Sequence, residues 1–85
     1  MNNSDPSIKT SSLDSIPFDV ETRVVRVGGT GAIARRLMEM GVVPGAPIKV
    51  VRTAPLGDPI VVSIRNYFLA LRQGEAKMIT VAASA

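Results

Sequence analysis

The segment Pro55-Leu56-Gly57-Asp58-Pro59 constrains this chain more than any other, because it cuts one long apolar, β-branched stretch into two. Ahead of it, Ala46–Ala54 (APIKVVRTA) alternates Ile48, Val50 and Arg52 with Lys49, Val51 and Thr53. Behind it, Pro59–Arg65 (PIVVSIR) places Ile60, Val62 and Ile64 at period two. Such alternation is the mark of strands with one buried face. Gly57 can take the positive φ of a tight turn, and Asp58 precedes a proline, which favours extended backbone. The segment therefore reads as a hairpin loop with Leu56 at its tip. A hairpin needs these residue types for geometry alone. A loop braced by prolines also loses little entropy on docking, so it can serve as a platform for a partner.

The remaining chain divides into similarly short pieces. Val20–Val27 (VETRVVRV) reads as a first strand ended by Gly28-Gly29, although Val20, Val25 and Val27 cannot all share a face with Val24. TGAIARRLMEMG reads as a helix with Thr30 as N-cap and an apolar stripe of Ile33, Leu37 and Met40. Gly41 stands where a left-handed residue closes a helix, Val42 can cover Leu37, and Pro44 forbids continuation. YFLALR is a strand with Tyr67, Leu69 and Leu71 on the core face and Phe68 on the other, entered through a turn at Arg65-Asn66 in which Asn66 tolerates the left-handed conformation. QGEAK makes one helical turn and MITVA a last strand. Five short strands and one helix predict a small, strongly bent sheet or barrel, with the helix closing one end.

Composition removes whole classes of chemistry. The chain has no cysteine and no histidine, which rules out a disulfide framework and the usual general base. It has no nucleotide-binding lysine loop and no nucleophile–base pair; GGTG at Gly28–Gly31 reads as a turn. The expectation is a non-enzyme without a cofactor. A net charge of +3 permits an anionic partner without requiring one. The polar residues 1–11 read as a disordered tail with no signal-peptide character, and no apolar run is long enough for a membrane span. The chain reads as cytoplasmic, with no direct membrane insertion.

Four pieces, in order, carry a resemblance: RRLMEMGVVPGAPIKVVR, APLGDPIVVSI, YFLALR and EAKMITV. Together they resemble the FeoA family, small cytosolic accessory proteins of bacterial ferrous iron uptake, from Leu13 to about Val81. The resemblance implies an SH3-like β-barrel of about five strands over residues 12–82, with one main helix near 31–40 and a helical turn near 73–77. It also implies a partner, the membrane transporter FeoB, bound from the cytosol. A similar module forms the C-terminal domain of some iron-dependent repressors, which carry a helix-turn-helix ahead of it; here only the short polar tail stands there. Asp19 and Asn66 occupy positions where many family members have glycine.

The candidate partner-binding residues are Pro55, Leu56, Gly57 and Asp58 in the loop, Arg35 and Arg36 on the polar side of the helix, and the outward Phe68. No metal site is expected. The seven carboxylates are scattered, Asp19 and Glu21 make only a weak pair on one strand face, and the thioethers of Met38 and Met40 suit Cu(I) rather than ferrous iron. Two other readings stand beside this one. Arginines around Tyr67 and Phe68 could bind single-stranded nucleic acid, although the resemblance leads to no nucleic-acid partner. Open strand edges could also pair two copies into a homo-oligomer.

Overall fold

The computed structural model describes residues 9–29 and 31–83 of the chain. The strands are β1 (Thr10–Ser12), β2 (Thr22–Val27), β3 (Pro47–Thr53), β4 (Ile60–Ile64), β5 (Tyr67–Leu71) and β6 (Ile79–Ala83). A 3-10 turn covers Leu13–Ser15, and the helices are α1 (Gly31–Glu39) and α2 (Gln73–Ala76). The strands form one antiparallel sheet in the order β1-β6-β2-β3-β4-β5.

The expected mostly-β fold with one main helix is present, with two differences. A sixth strand exists, because Thr10 and Ser11 pair with Ala82 and Val81. Both belong to the polar segment 1–11, where disorder is expected. A ladder is made of backbone groups, so polar side chains do not prevent pairing with the otherwise open edge of β6. The rest of that tail, residues 1–8, lies outside the described residues, as does Thr30 with its expected cap. Secondly, the sheet bends without closing: among the described residues no pairing joins β1 to β5.

The bend has a local cause. Register shifts interrupt β2 between Val24 and Arg26 and β3 between Val50 and Arg52. Each bulge inserts an unpaired residue and increases the twist. The first resolves the conflict among the β2 valines: Thr22 and Val24 face the core, and Val25 is turned outward. Thr22 is the one buried polar residue of the described core, and its hydroxyl donates to the Ile48 carbonyl at 2.6 Å. The period-two face of β4 packs as expected, with Ile60, Val62 and Ile64 all buried against Leu13, Leu37, Leu71 and Ile79.

In α1 only Leu37 is fully buried, whereas Ile33 is exposed and Met40 half-buried. The apolar stripe is thus shorter than its spacing suggests. The nine-residue helix meets the core mainly through its last turns, and Ile33 lies in its first. The C-terminus closes as a Schellman motif. The Val42 N–H donates to the Leu37 carbonyl at 3.0 Å and the Gly41 N–H to that of Met38 at 3.0 Å, with Gly41 at φ +100°. A Cβ there would lie 3.2 Å from the Tyr67 hydroxyl oxygen. Gly41→Val should therefore destabilise the domain by about 1–3 kcal/mol through the left-handed backbone alone. An unchanged denaturation midpoint would contradict this reading of the helix end.

Tyr67 was expected in the core and is 44% exposed: it pairs with the buried Ile64, but its side chain extends to the end of α1, where the hydroxyl lies beside Gly41. In the β4–β5 turn the left-handed residue is Arg65, at φ +53°, rather than Asn66. Asp19, at φ +64°, is the other non-glycine residue in that region among those described, and its N–H donates to the Val50 carbonyl at 2.7 Å.

Candidate functional site

The loop between β3 and β4 is held at both ends. The Gly57 N–H donates to the Ala54 carbonyl at 2.7 Å, closing a turn with Pro55 and Leu56 at its centre and Gly57 at φ +86°. The Ala54 N–H donates to the Pro59 carbonyl at 2.9 Å and closes the hairpin. At the apex the Leu56 side chain is 97% exposed, the most exposed of the large apolar residues described. The backbone bonds of the turn hold this aliphatic side chain in water, clear of the domain's own surface.

Asp58 is more anchor than contact. Its Oδ1 accepts the Gln73 N–H at 3.1 Å, and its Oδ2 lies 3.9 Å from the Arg72 guanidinium. Gln73 opens α2, so Asp58 satisfies one of the unpaired amides of that helix start. The chain of polar contacts continues: Glu75 Oε1 accepts the Arg72 N–H at 2.8 Å, and Glu75 Oε2 pairs with Arg36 of α1. Loop, α2 and α1 are thereby tied together, and Arg36, Pro59, Ala70, Arg72 and Glu75 line a shallow groove of about 360 Å³ beside the loop.

The expected site residues thus fall into two groups. Arg36 lines this groove, neutralised by Glu75 rather than left free, and Asp58 adjoins it through Arg72, whereas Pro55, Leu56 and Gly57 are not part of its lining. Arg35 is exposed and makes no ion pair among the described residues. Phe68 is 66% exposed and shares the outward face of β5 with Ala70, one strand step from the groove. Arg72, Gln73 and Glu75 were missed as parts of the site. The long-range contact of Asp58 with Gln73 leaves no local pattern, but a glutamate three residues after Arg72 is the acidic half of a capping box and was readable.

Replacing Asp58 by alanine should cost about 0.5–1.5 kcal/mol, the usual worth of such a hydrogen bond, and speed hydrogen exchange at the Gln73 amide. Unchanged exchange at Gln73 would show that the bond does not persist in solution.

Among the described residues there is no group of three or more histidine, cysteine or acidic side chains that could hold a metal. Glu21, half of the weak acidic pair, is engaged by Lys49 at 3.3 Å. No described helix is long and apolar enough to cross a membrane.

The FeoA domain family model matches residues 12–83 of the chain. A curated relative, the Fe(2+) transport protein A/Fe(2+) transporter FeoB fusion protein of Porphyromonas gingivalis, is 45% identical over 58 residues. That match covers 68% of this chain and spans only 7% of the relative's length. The solution structure of the FeoA protein from Chlorobium tepidum superposes with a TM-score of 0.83 at 41% identity, over 88% of this chain and 71% of that one. Zinc-complexed FeoA of Stenotrophomonas maltophilia, described as an SH3 domain protein, gives 0.74 at 35% identity, over 84% and 88% of the two chains. A manganese-dependent transcriptional repressor gives 0.82, over 93% of this chain and 44% of its own, at 18% identity, a likeness of fold alone.

Proposed function

Because the chain belongs to the FeoA family, we propose that it is a non-catalytic accessory protein of ferrous iron uptake that binds the cytosolic side of an FeoB-type transporter. The observation that carries this reading is Leu56, an aliphatic side chain 97% exposed at the apex of a turn fixed by two backbone hydrogen bonds and by Asp58. Such a residue suits insertion into a hydrophobic cleft, since the loop is already ordered before it binds.

The Porphyromonas gingivalis relative supports the partner. There the two names are joined in one polypeptide, and a tether of that kind keeps a weakly binding module at high local concentration. The absence of histidine and cysteine from the sequence supports a role without catalysis. On this reading the protein influences iron movement without carrying iron, and it acts in the cytoplasm.

The test is retention of detergent-solubilised membrane proteins on the tagged full chain. Recovery of one large transporter with a GTPase domain is expected. Recovery of nothing, or only of proteins associated with nucleic acid, would overturn the reading. A Leu56→Asp variant separates the role from the contact: retention that survives it keeps the partner and moves the interface elsewhere.

A further inference from the structure

The sheet order leaves β5 as an edge, and its ladder shows which backbone groups that edge presents. Ile64 and Tyr67 pair across a turn of only two residues, Arg65 and Asn66. A pair in that position exchanges both of its hydrogen bonds. Alternation along an antiparallel ladder then makes Val62–Leu69 and Ile60–Leu71 exchanging pairs as well. Phe68 and Ala70 fall between them, opposite Ser63 and Val61. Their N–H and C=O groups therefore point away from β4, towards the free edge. Among the described residues none of these four groups takes part in a turn, loop or cap hydrogen bond. Both residues are exposed.

The side chains along the edge form a pattern. Phe68, Ala70 and Arg72 follow one another on the outward face, and Arg65 stands at the turn before them. An aromatic ring and a small residue thus lie between two arginines: Arg72, 3.9 Å from Asp58, and Arg65, whose exposed side chain rests towards Gly41 beside the Tyr67 hydroxyl and would swing to the outward face to meet a ligand. Farther in on the same face, Arg52 stands opposite Val61, itself opposite Ala70. The carboxylates nearby, Asp58 and Glu75, are already engaged by Gln73, Arg72 and Arg36.

We propose that the β5 edge accepts an extended segment of another protein as a seventh strand, and that this segment carries a short apolar stretch with a carboxylate at each end. Main-chain bonds to Phe68 and Ala70 supply the attachment, as in other cases of strand addition. Apolar side chains lie against Phe68 and over Ala70, and the flanking carboxylates meet Arg72 and Arg65. Charge selects this occupant over a second copy of the chain. Antiparallel self-pairing that used all four backbone groups would set Arg72 of each copy beside Asn66 and Arg65 of the other, bringing like charges together. The proposal concerns an edge distinct from the Leu56 loop and does not depend on the transporter reading.

The probe is the acetylated, amidated peptide GETVTVTEG, titrated into the full chain while backbone amide resonances are followed. Its two valines face Phe68 and Ala70, and its glutamates reach the two arginines. The largest shifts are expected at Phe68 and Ala70, with binding that weakens as salt is raised. The lysine counterpart GKTVTVTKG should not bind. N-methylation of both valines removes the peptide donors aimed at the edge and should weaken binding about tenfold or more, two hydrogen bonds' worth. Ala70→Pro removes the outward N–H while sparing the bonds to β4 and should have a similar effect. The N-methylated peptide keeps the test decisive if that variant folds poorly. Four results would each overturn the proposal: no shifts at Phe68 and Ala70, equal binding of the lysine peptide, indifference to N-methylation, or tighter binding of an oligothymidylate at the same amides. A dimer by light scattering that Ala70→Pro dissociates would do so too, by giving the edge to a second copy.

Discussion

Leu37→Ala is expected to destabilise the domain by about 2–5 kcal/mol, the range found when a fully buried leucine is truncated in a packed core. Leu37 has no exposed surface, and it is the only fully buried residue of α1. Its side chain therefore does most of what fastens the helix to the sheet. Its carbonyl also accepts the N–H groups of Met40 and Val42 at 3.1 and 3.0 Å, so the helix end closes around this residue. The backbone bonds would survive the substitution, but the cavity would not be refilled, because Ile33 and Met40 do not reach the core as deeply. A domain of this size has only a modest reserve of stability, so the loss should be plain as a lower urea midpoint with an unchanged slope. A near-neutral result would mean that α1 is not packed in solution as described.

Leu56→Asp is expected to do the opposite: to leave stability within about 0.5 kcal/mol of the parent and to weaken transporter binding by tenfold or more. Leu56 is 97% exposed, and the turn beneath it is held by backbone bonds of Ala54, Gly57 and Pro59 that do not involve its side chain. An aspartate at that point would have to be desolvated on entering an apolar cleft, which adds a penalty to the lost contact. Thermal denaturation and retention of the solubilised transporter read the two effects separately. A melting temperature lowered by many degrees would make Leu56 a core residue. Intact retention would remove the loop from the interface.

Asp58 shows why the site was only partly readable. As a turn residue before a proline it is legible from its neighbours, and the hairpin formed as expected. That its carboxylate would meet the Gln73 amide depends on where α2 lands after two further strands. Arg36 is similar. Its place on the polar side of the helix followed from periodicity, but its pairing with Glu75 depends on where α2 lands after β5. Phe68 was assigned outward by alternation alone and is outward. Tyr67, expected inward by the same rule, is 44% exposed although its partner Ile64 is buried, because alternation gives the side of a strand and not how fully a long side chain is covered.

The sequence by itself determined the elements and their order: the period-two face of β4, the Gly41 stop of α1, the braced turn at Leu56, and a match to the FeoA domain. These are local properties, set by side-chain spacing and by the backbone preferences of glycine and proline. Only the tertiary structure decided that Thr10–Ser12 would join the sheet and that Ile33 would stay outside the core. It alone decided that Asp58 and Glu75 would tie the loop to both helices, and that β5 would end the sheet with Phe68 and Ala70 facing outward. The physical reason is that pairing partners and packing neighbours lie far apart along the chain, and which of them meet is fixed by how the bent sheet brings its edges and loops together.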